Sequence, residues 1–188
     1  MIKIIDNCCS SEYLDYLKYI AATTENWNLR YPEGHPVEDK FLKLDIIANC
    51  RIKNAFLAGV AIGLLIQIHE ADDQDLFIPD IVFCGISIKD KHTPNNIHTD
   101  DADKKNVVKI LGIINSDWKE EWGGGFFHNG TSNYIKPTSF CIFDPSKEHS
   151  AEEILSDKKR FAIDFTVFRD QQSLDYHMNR KQRGENWE

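Results

Sequence analysis

The segment Arg160–Phe168 constrains the fold more than any other part of the chain. In the sequence RFAIDFTVF, the odd-numbered residues from 161 to 167 are apolar, and the even-numbered residues from 160 to 166 are charged, polar or small. Successive side chains of a β-strand point to opposite faces of a sheet. The segment therefore predicts a strand with one face packed against a covering layer and the other lining a cavity that contains a planar cation and a carboxylate.

Four further segments after Asp75 are short, apolar and separated by turn residues, which is typical of β-strands. They span residues 81–88, 97–100, 107–114 and 134–143. Several short strands in one part of a chain and helices in another predict a mainly β (α+β) fold, in which helices pack outside an antiparallel sandwich or barrel.

The first 75 residues are predicted to form a mostly helical support. Residues 2–5 read as a short strand, and Ser10 opens a segment with apolar residues at helical spacing. The stretch 24–50 is loop-like, with a shorter helix predicted near 37–44. Residues 51–70 are apolar on nearly all sides, which predicts a buried helix whose Gly59 and Gly63 permit close approach.

The length of 188 residues indicates one domain with a sizeable core. Within that domain we expect helical support over about 1–75, a β core over about 76–168, and a polar tail or surface helix over 169–188. No repeat and no Gly/Ser linker divides the chain.

Charge and composition narrow the function classes. The chain has 22 basic and 30 acidic residues, a net charge of -8, so no overall positive field attracts nucleic acid or an anionic membrane. The longest apolar run, 55–66, is shorter than the roughly 20 residues that a membrane-spanning helix needs. Five cysteines without a CxxC pair, and a start that does not fit a signal peptide, predict reduced thiols and a cytoplasmic location.

The predicted strand over residues 97–100 contains two residues of types that ligate metals. His98 and Asp100 are two residues apart, so on an extended segment both point to the same face. His149, just after another apolar segment, offers a third ligand. Two histidines and one carboxylate form the facial triad that leaves adjacent positions of a ferrous ion open. Because the chain has seven histidines, this spacing alone is weak evidence.

Arg160 strengthens the case because it lies eleven residues after His149, on the polar face of the alternating strand. A guanidinium is shaped to bind a ligand carboxylate with two parallel hydrogen bonds. The alternative is a surface strand residue paired with a nearby Asp or Glu.

Over residues 80–168 the chain resembles the Fe(II)- and 2-oxoglutarate-dependent oxygenases, in the branch similar to prolyl 4-hydroxylases. The motifs that carry the resemblance occur in the same order as in that family. They are HTD at 98–100, VVKILGIIN at 107–115, WGGGF at 122–126, IKP at 135–137, FCIFD at 140–144, HS at 149–150, and Arg160.

The resemblance implies a double-stranded β-helix, a jelly roll of two antiparallel sheets with supporting helices. It implies that His98, Asp100 and His149 bind Fe(II) and that Arg160 pairs with the 5-carboxylate of 2-oxoglutarate. It also implies O2 as cosubstrate and ascorbate as an additional cofactor. The implied reaction hydroxylates a peptidyl proline, an amino acid or another small substrate while 2-oxoglutarate is decarboxylated to succinate.

Two departures from the family pattern concern 2-oxoglutarate. Ala162 stands where the family often has a hydroxyl residue, and Ile86, Ser87 and Ile88 stand where many members have a tyrosine on the strand before HTD. Tyr134 is the candidate for a second contact with 2-oxoglutarate, from another strand.

We assign structural positions, and no role in the site, to four other histidine and tryptophan residues. We expect His92 in an exposed loop, His128 in a solvent-facing turn, and Trp118 and Trp122 packed under a turn. Two alternative functions stay open: a non-catalytic jelly-roll binding protein, and a cupin-type metalloenzyme that does not use 2-oxoglutarate, for which Arg160 has no special role. The oligomeric state also stays open, a homodimer included.

Overall fold

The computed structural model describes residues 2–25, 27–30, 41–100 and 106–182. These residues form eleven strands and three α-helices. The elements are, in chain order, β1 (Ile2–Ile5), α1 (Ser11–Thr23), β2 (Asn28–Arg30), β3 (Phe41–Ala48), β4 (Arg51–Ile52), α2 (Ala55–Ala71), β5 (Ile81–Lys89), β6 (Val107–Ile113), β7 (Phe126–His128), β8 (Thr131–Asn133), β9 (Phe140–Phe143), β10 (His149–Ala151), β11 (Arg160–Phe168) and α3 (Gln171–Gln182).

The strands form two antiparallel sheets. The main sheet has eight strands in the order β1-β9-β6-β11-β5-β3-β2, with β4 attached to β3. The small sheet has the order β10-β7-β8. The alternating strand β11 lies between β6 and β5 in the main sheet, so both of its edges are hydrogen-bonded.

The two faces of β11 have different surroundings, as its alternation predicts. Ile163, Phe165 and Val167 are fully buried and belong to the largest apolar core, together with buried leucines of α1 and α2. The even-numbered residues of β11 face the other way. We call this opposite side of the main sheet its inner face, because the small sheet covers part of it.

Contacts between the two sheets define the inner space. Phe126 of β7 packs with Cys141 and Phe143 of β9 in a second buried cluster. The thiol of Cys141 is buried, which raises its pKa to about 12, so this cysteine is a small apolar core residue, as predicted. The two antiparallel sheets, with the helices outside them, confirm the predicted mainly β fold.

Side-chain caps begin both helices of the supporting layer. The Ser10 side chain accepts a hydrogen bond from the Tyr13 N–H, and the Asn54 side chain accepts one from the Leu57 N–H. The Tyr13 hydroxyl donates to the carbonyl oxygen of Val60 at 2.6 Å, which ties α1 to α2.

The predicted burial of α2 on nearly all sides is wrong for one face. Phe56 is 61% exposed, and Ile62 and Ile66 are exposed as well. The helix lacks a polar stripe, so its sequence does not reveal which side faces solvent. The predicted close approach is found at Gly63, where an added Cβ would lie 3.0 Å from the Tyr13 hydroxyl, and is wrong for Gly59, where an added Cβ would have no atom within 4 Å.

The helix predicted near residues 37–44 is wrong where the structure describes it. Residues 41–44 belong to β3, which pairs with β5 inside the main sheet, and residues 37–40 lie outside the described residues. Apolar residues at 41, 42, 44, 46 and 47 fit neither periodicity cleanly, so hydrogen bonding to β5 decides the conformation. The described residues among the first 75 thus contribute four strands as well as two helices.

Two other predicted segments change in extent. Of the strand predicted over 134–143, only Phe140–Phe143 forms, because Pro137 has no N–H to donate and Thr138 has a left-handed φ of 67°. The predicted surface helix in 169–188 is found as α3, and residues 183–188 lie outside the described residues. The strands predicted over 81–88 and 107–114 are confirmed as β5 and β6.

Within the described ranges, the helices are too short or too polar to cross a bilayer.

Gly112 provides a test of packing between β6 and β9. A Cβ at this position would overlap the ring of Phe140, which is fully buried. We expect Gly112→Ala to lower the free energy of unfolding by about 1–3 kcal/mol, measured by urea denaturation. Gly59→Ala is the matched control: it lies on the exposed face of α2 with no atom within 4 Å of the new Cβ, and should raise stability by up to about 1 kcal/mol. Equal stability of both variants would contradict the packing described here.

Candidate functional site

The segment carrying His98 and Asp100 is an added edge of the small sheet. The His98 N–H donates to the carbonyl oxygen of His149 at 3.1 Å, and the His149 N–H donates to that of His98 at 2.9 Å. The Asp100 N–H donates to the carbonyl oxygen of Pro145 at 2.9 Å. The strand predicted over 97–100 is therefore a single bridge rather than a full strand, and it lies directly beside β10.

The structure brings together the three residues that the sequence suggested as metal ligands. His98, Asp100 and His149 each offer a ligand atom, and these atoms lie within 4.8 Å of one another. Nε2 of His149 is 3.9 Å from Oδ2 of Asp100, and the two imidazole centroids are 4.5 Å apart. Two nitrogens and a carboxylate oxygen at such distances suit a divalent transition metal.

Backbone carbonyls orient both imidazoles. Nδ1 of His98 lies 2.9 Å from the carbonyl oxygen of Asn96, and Nδ1 of His149 lies 2.8 Å from that of Lys147. A ring nitrogen that faces a carbonyl oxygen carries the hydrogen, so Nε2 keeps its lone pair for a metal. Burial lowers the pKa of His149 to about 4, which keeps this imidazole in the neutral, ligating form.

Lys109 connects the main sheet to the predicted metal centre. Its Nζ lies 2.6 Å from Oδ2 of Asp100, and both side chains are mostly buried, at 20% and 16% exposure. Lys109 belongs to β6, so this ion pair crosses from one sheet to the other. It orients the carboxylate toward the histidines.

Aromatic side chains surround the inner histidine. The ring centroids of Phe143 and Phe126 lie 5.0 Å and 6.2 Å from that of His149. His128, predicted in a solvent-facing turn, is instead buried at the end of β7, opposite His149 in the register. His128 is buried because β7 pairs with β10. The sequence around His128 is short and flanked by glycines, so it does not predict this pairing. His92 lies exposed in its loop, as expected.

Arg160 is a buried cation at the start of β11. Its Nη1 donates to the carbonyl oxygen of Gly124, and its Nε has no hydrogen-bond partner among the described residues. The Gly124 φ of 70°, and the 3.1 Å between an added Cβ and Cδ of Arg160, require glycine at this turn. Burial lowers the pKa of Arg160 to about 10.

No carboxylate among the described residues pairs with Arg160, so the surface ion pair considered from the sequence is not formed there. A buried cation needs a counter-charge and partners for its N–H groups. The arrangement suits an anionic ligand that enters the inner space.

Lys89 is a residue of the inner face that sequence reasoning missed. It is the register partner of Arg160 across β5 and β11, so both side chains project from the same face. The alternation within β5 was the available signal, since Cys84 and Ile86 belong to the core on the opposite face.

Tyr134 lies in a cluster under the turn that precedes β7. Its hydroxyl donates to the carbonyl oxygen of Trp118 at 3.1 Å, and the cluster includes Trp122 and Ile154. The Trp118 Nε1–H donates to the carbonyl oxygen of Gly123 at 3.0 Å, so both tryptophans pack under a turn, as expected. A contact between Tyr134 and 2-oxoglutarate stays a prediction.

No protein-family model matches the sequence, and no curated protein matches it either. Several solved structures match the fold. A prolyl-4-hydroxylase from Pseudomonas putida is 12% identical, with a TM-score of 0.62 over 90% of this chain and 92% of that one. An oxidoreductase of the 2OG-Fe(II) oxygenase family from Burkholderia pseudomallei is 12% identical, with a TM-score of 0.66 over 90% and 85%.

HygX from Streptomyces hygroscopicus, solved with nickel and 2-oxoglutarate bound, is 10% identical, with a TM-score of 0.64 over 90% of this chain and 83% of that one. At such identities the likeness establishes the fold. The double-stranded β-helix with outer helices, implied by the resemblance of the sequence, is therefore confirmed.

The three clustered residues predict a measurable metal site. We expect His98→Ala to weaken Mn(II) binding by more than about 100-fold, because it removes a direct ligand, whereas loss of an outer partner alone costs 10–100-fold. Isothermal titration calorimetry measures the affinity. His92→Ala is the matched control, since both histidines are exposed and neither change disturbs the core. Unchanged affinity in His98→Ala would show that Mn(II) binds elsewhere.

Proposed function

We propose that this chain is an Fe(II)- and 2-oxoglutarate-dependent dioxygenase. One observation carries the proposal: the His98–Asp100–His149 cluster is ion-paired to Lys109 on the inner face of the main sheet, and the buried guanidinium of Arg160 lies on that same face, with no carboxylate partner among the described residues. A metal-dependent reaction alone would need only the first of these. The second calls for an anionic ligand.

The residues present suit both groups. His98, Asp100 and His149 would hold Fe(II), and Arg160 would bind the 5-carboxylate of 2-oxoglutarate. When bound, these groups supply coupled oxidation: the substrate C–H, 2-oxoglutarate and O2 give C–OH, succinate and CO2.

The side chains of this protein prepare the site for that chemistry. The backbone carbonyls of Asn96 and Lys147 orient the two imidazoles, and Lys109 holds the carboxylate of Asp100. Phe126 and Phe143 exclude water from one side of His149. These contacts give a preorganised and partly dry site.

Exposure indicates the side from which a substrate enters. His98 is exposed, Asp100 is mostly buried and His149 is buried, so the cluster opens toward solvent at His98. We place the substrate there, beside the loop around His92.

For the substrate we propose a peptidyl proline, a free amino acid or another small molecule. The similarity to the Pseudomonas putida prolyl-4-hydroxylase supports the first of these. Ascorbate is the expected accompanying reductant. The five free cysteines fit a reducing compartment, and we propose the cytoplasm.

Anaerobic titration tests the function directly. Fe(II) followed by 2-oxoglutarate should produce a weak visible charge-transfer absorption in the wild type. Arg160→Gln should need about 100-fold more 2-oxoglutarate, because it loses the charge-assisted hydrogen bonds. Because Arg160 pairs with no carboxylate in the described part of the chain, the glutamine variant should remain folded. Arg51→Gln, at an exposed arginine of β4, is the control and should match the wild type.

The alternatives give different results. Iron binding with no absorption band in the wild type would contradict the proposal and favour a binding jelly roll. Turnover that needs no 2-oxoglutarate and does not change in Arg160→Gln would favour a cupin-type enzyme.

A further inference from the structure

Lys89 ends β5, beside the guanidinium of Arg160. Phe41, Lys89 and Arg160 form one row across β3, β5 and β11, because Leu42 pairs with Ile88 and Arg160 pairs with Lys89. The Lys89 Nζ lies 5.4 Å from the centroid of the Phe41 ring. Among the described residues, the ammonium has this ring contact and no ion pair.

The charges that face Lys89 do not balance. Arg160 adjoins it on β11, and Lys43 faces it from β3. The acid whose charge acts on Lys89 is Asp164, and its Oδ1 lies 3.7 Å from the Nζ of Lys43. After this pair is formed, Lys89 and Arg160 remain as two neighbouring cations without a carboxylate in the described part of the chain.

Two like charges placed side by side in a poorly hydrated space are unfavourable unless an anion joins them. Burial, with the fields of Arg160 and Lys43, lowers the pKa of Lys89 to about 8. The Arg160 Nε without a hydrogen-bond partner is an independent sign of a missing ligand. Both observations are explained by an anion that binds between the two cations.

We propose that Lys89 is a second binding residue for the remote carboxylate of the 2-oxo acid, which lies between the Lys89 ammonium and the Arg160 guanidinium. This inference rests on the proposed function. A carboxylate has two oxygens, so each can accept from one of the two cations. Lys89 thereby favours dicarboxylic 2-oxo acids over those that lack a second carboxylate.

The position of Lys89 also bears on the tyrosine of the family pattern that this chain lacks. The family resemblance expects a tyrosine on this strand, and the chain has Ile86, Ser87 and Ile88 there. The last residue of the same strand supplies a cation, which would bind the same ligand by charge.

Calorimetric titration of Mn(II)-loaded protein with two acids tests the role of Lys89. The probes are 2-oxoglutarate and 2-oxopentanoate, which has the same chain length without the remote carboxylate. Lys89→Met should weaken 2-oxoglutarate binding by about 10- to 100-fold and leave 2-oxopentanoate binding unchanged. Lys91→Met is the control: this exposed lysine pairs with Asp157 and should have no effect on either acid.

A pH series gives a second reading that does not depend on the methionine variant. Lys89 of the ligand-free protein loses its proton near pH 8, so wild-type affinity for 2-oxoglutarate should fall as the pH rises from about 7 to about 9. Lys89→Arg keeps its charge over that range, so its affinity should stay flat. The other charged groups that face Lys89 are Arg160, Lys43 and Asp164, and they are the same in the wild type and in Lys89→Arg, so a difference between the two pH profiles reports on position 89 alone.

The outcomes separate this inference from the proposed function. If the wild type does not bind 2-oxoglutarate better than 2-oxopentanoate, the proposed function fails. If the wild type shows that preference and Lys89→Met keeps it, Lys89 has no binding role and the function stands. Equal weakening for both acids, or one pH profile for the wild type and Lys89→Arg, would also overturn the role of Lys89.

Discussion

The reciprocal backbone hydrogen bonds between His98 and His149 are the contact on which the predicted metal centre depends. They join a segment without regular strand structure to β10, so two ligands far apart in sequence lie side by side. The third, Asp100, follows from strand geometry and from its own hydrogen bond to Pro145. The main sheet then adds Lys109 from the opposite side. Backbone pairing, which is insensitive to side-chain identity, thus builds the site before any ligand arrives.

The inner face of the main sheet carries charged residues at buried positions where apolar residues would give greater stability. A sheet optimised for folding alone would place apolar residues where Arg160 and Lys89 stand. Their burial next to each other, with Asp164 near Lys43 instead, leaves positive charge that the folded protein retains. Functional sites commonly break local rules of stability in this way. The opposite face shows no such compromise, since it is continuous apolar core.

The sequence predicts the parts of this fold in which one periodicity is unmistakable. The sequences of β5, β6 and β11 predict strands, and Ser10 followed by apolar residues at helical spacing predicts α1. The sequence also identifies the two histidines and Asp100 as candidate metal ligands, because only a few residue types can bind a metal. It fails for β3, whose apolar residues fit strand and helix alike, until β5 pairs with it. The positions of His128 and Lys89 could not be predicted for a related reason. The burial of a polar residue depends on its neighbours across the sheet, and the local sequence does not contain these.

The central place of β11 has a consequence for how the chain folds. This strand is the last of the main sheet in sequence, yet it lies between β5 and β6, which precede it by about 50 to 80 residues. Until residues 160–168 leave the ribosome, β5 and β6 each present an open edge able to pair with another chain. Such non-local closure is slow compared with helix formation. The pairing of Arg160 with Lys89 across β11 and β5 is therefore among the last features of the fold to form.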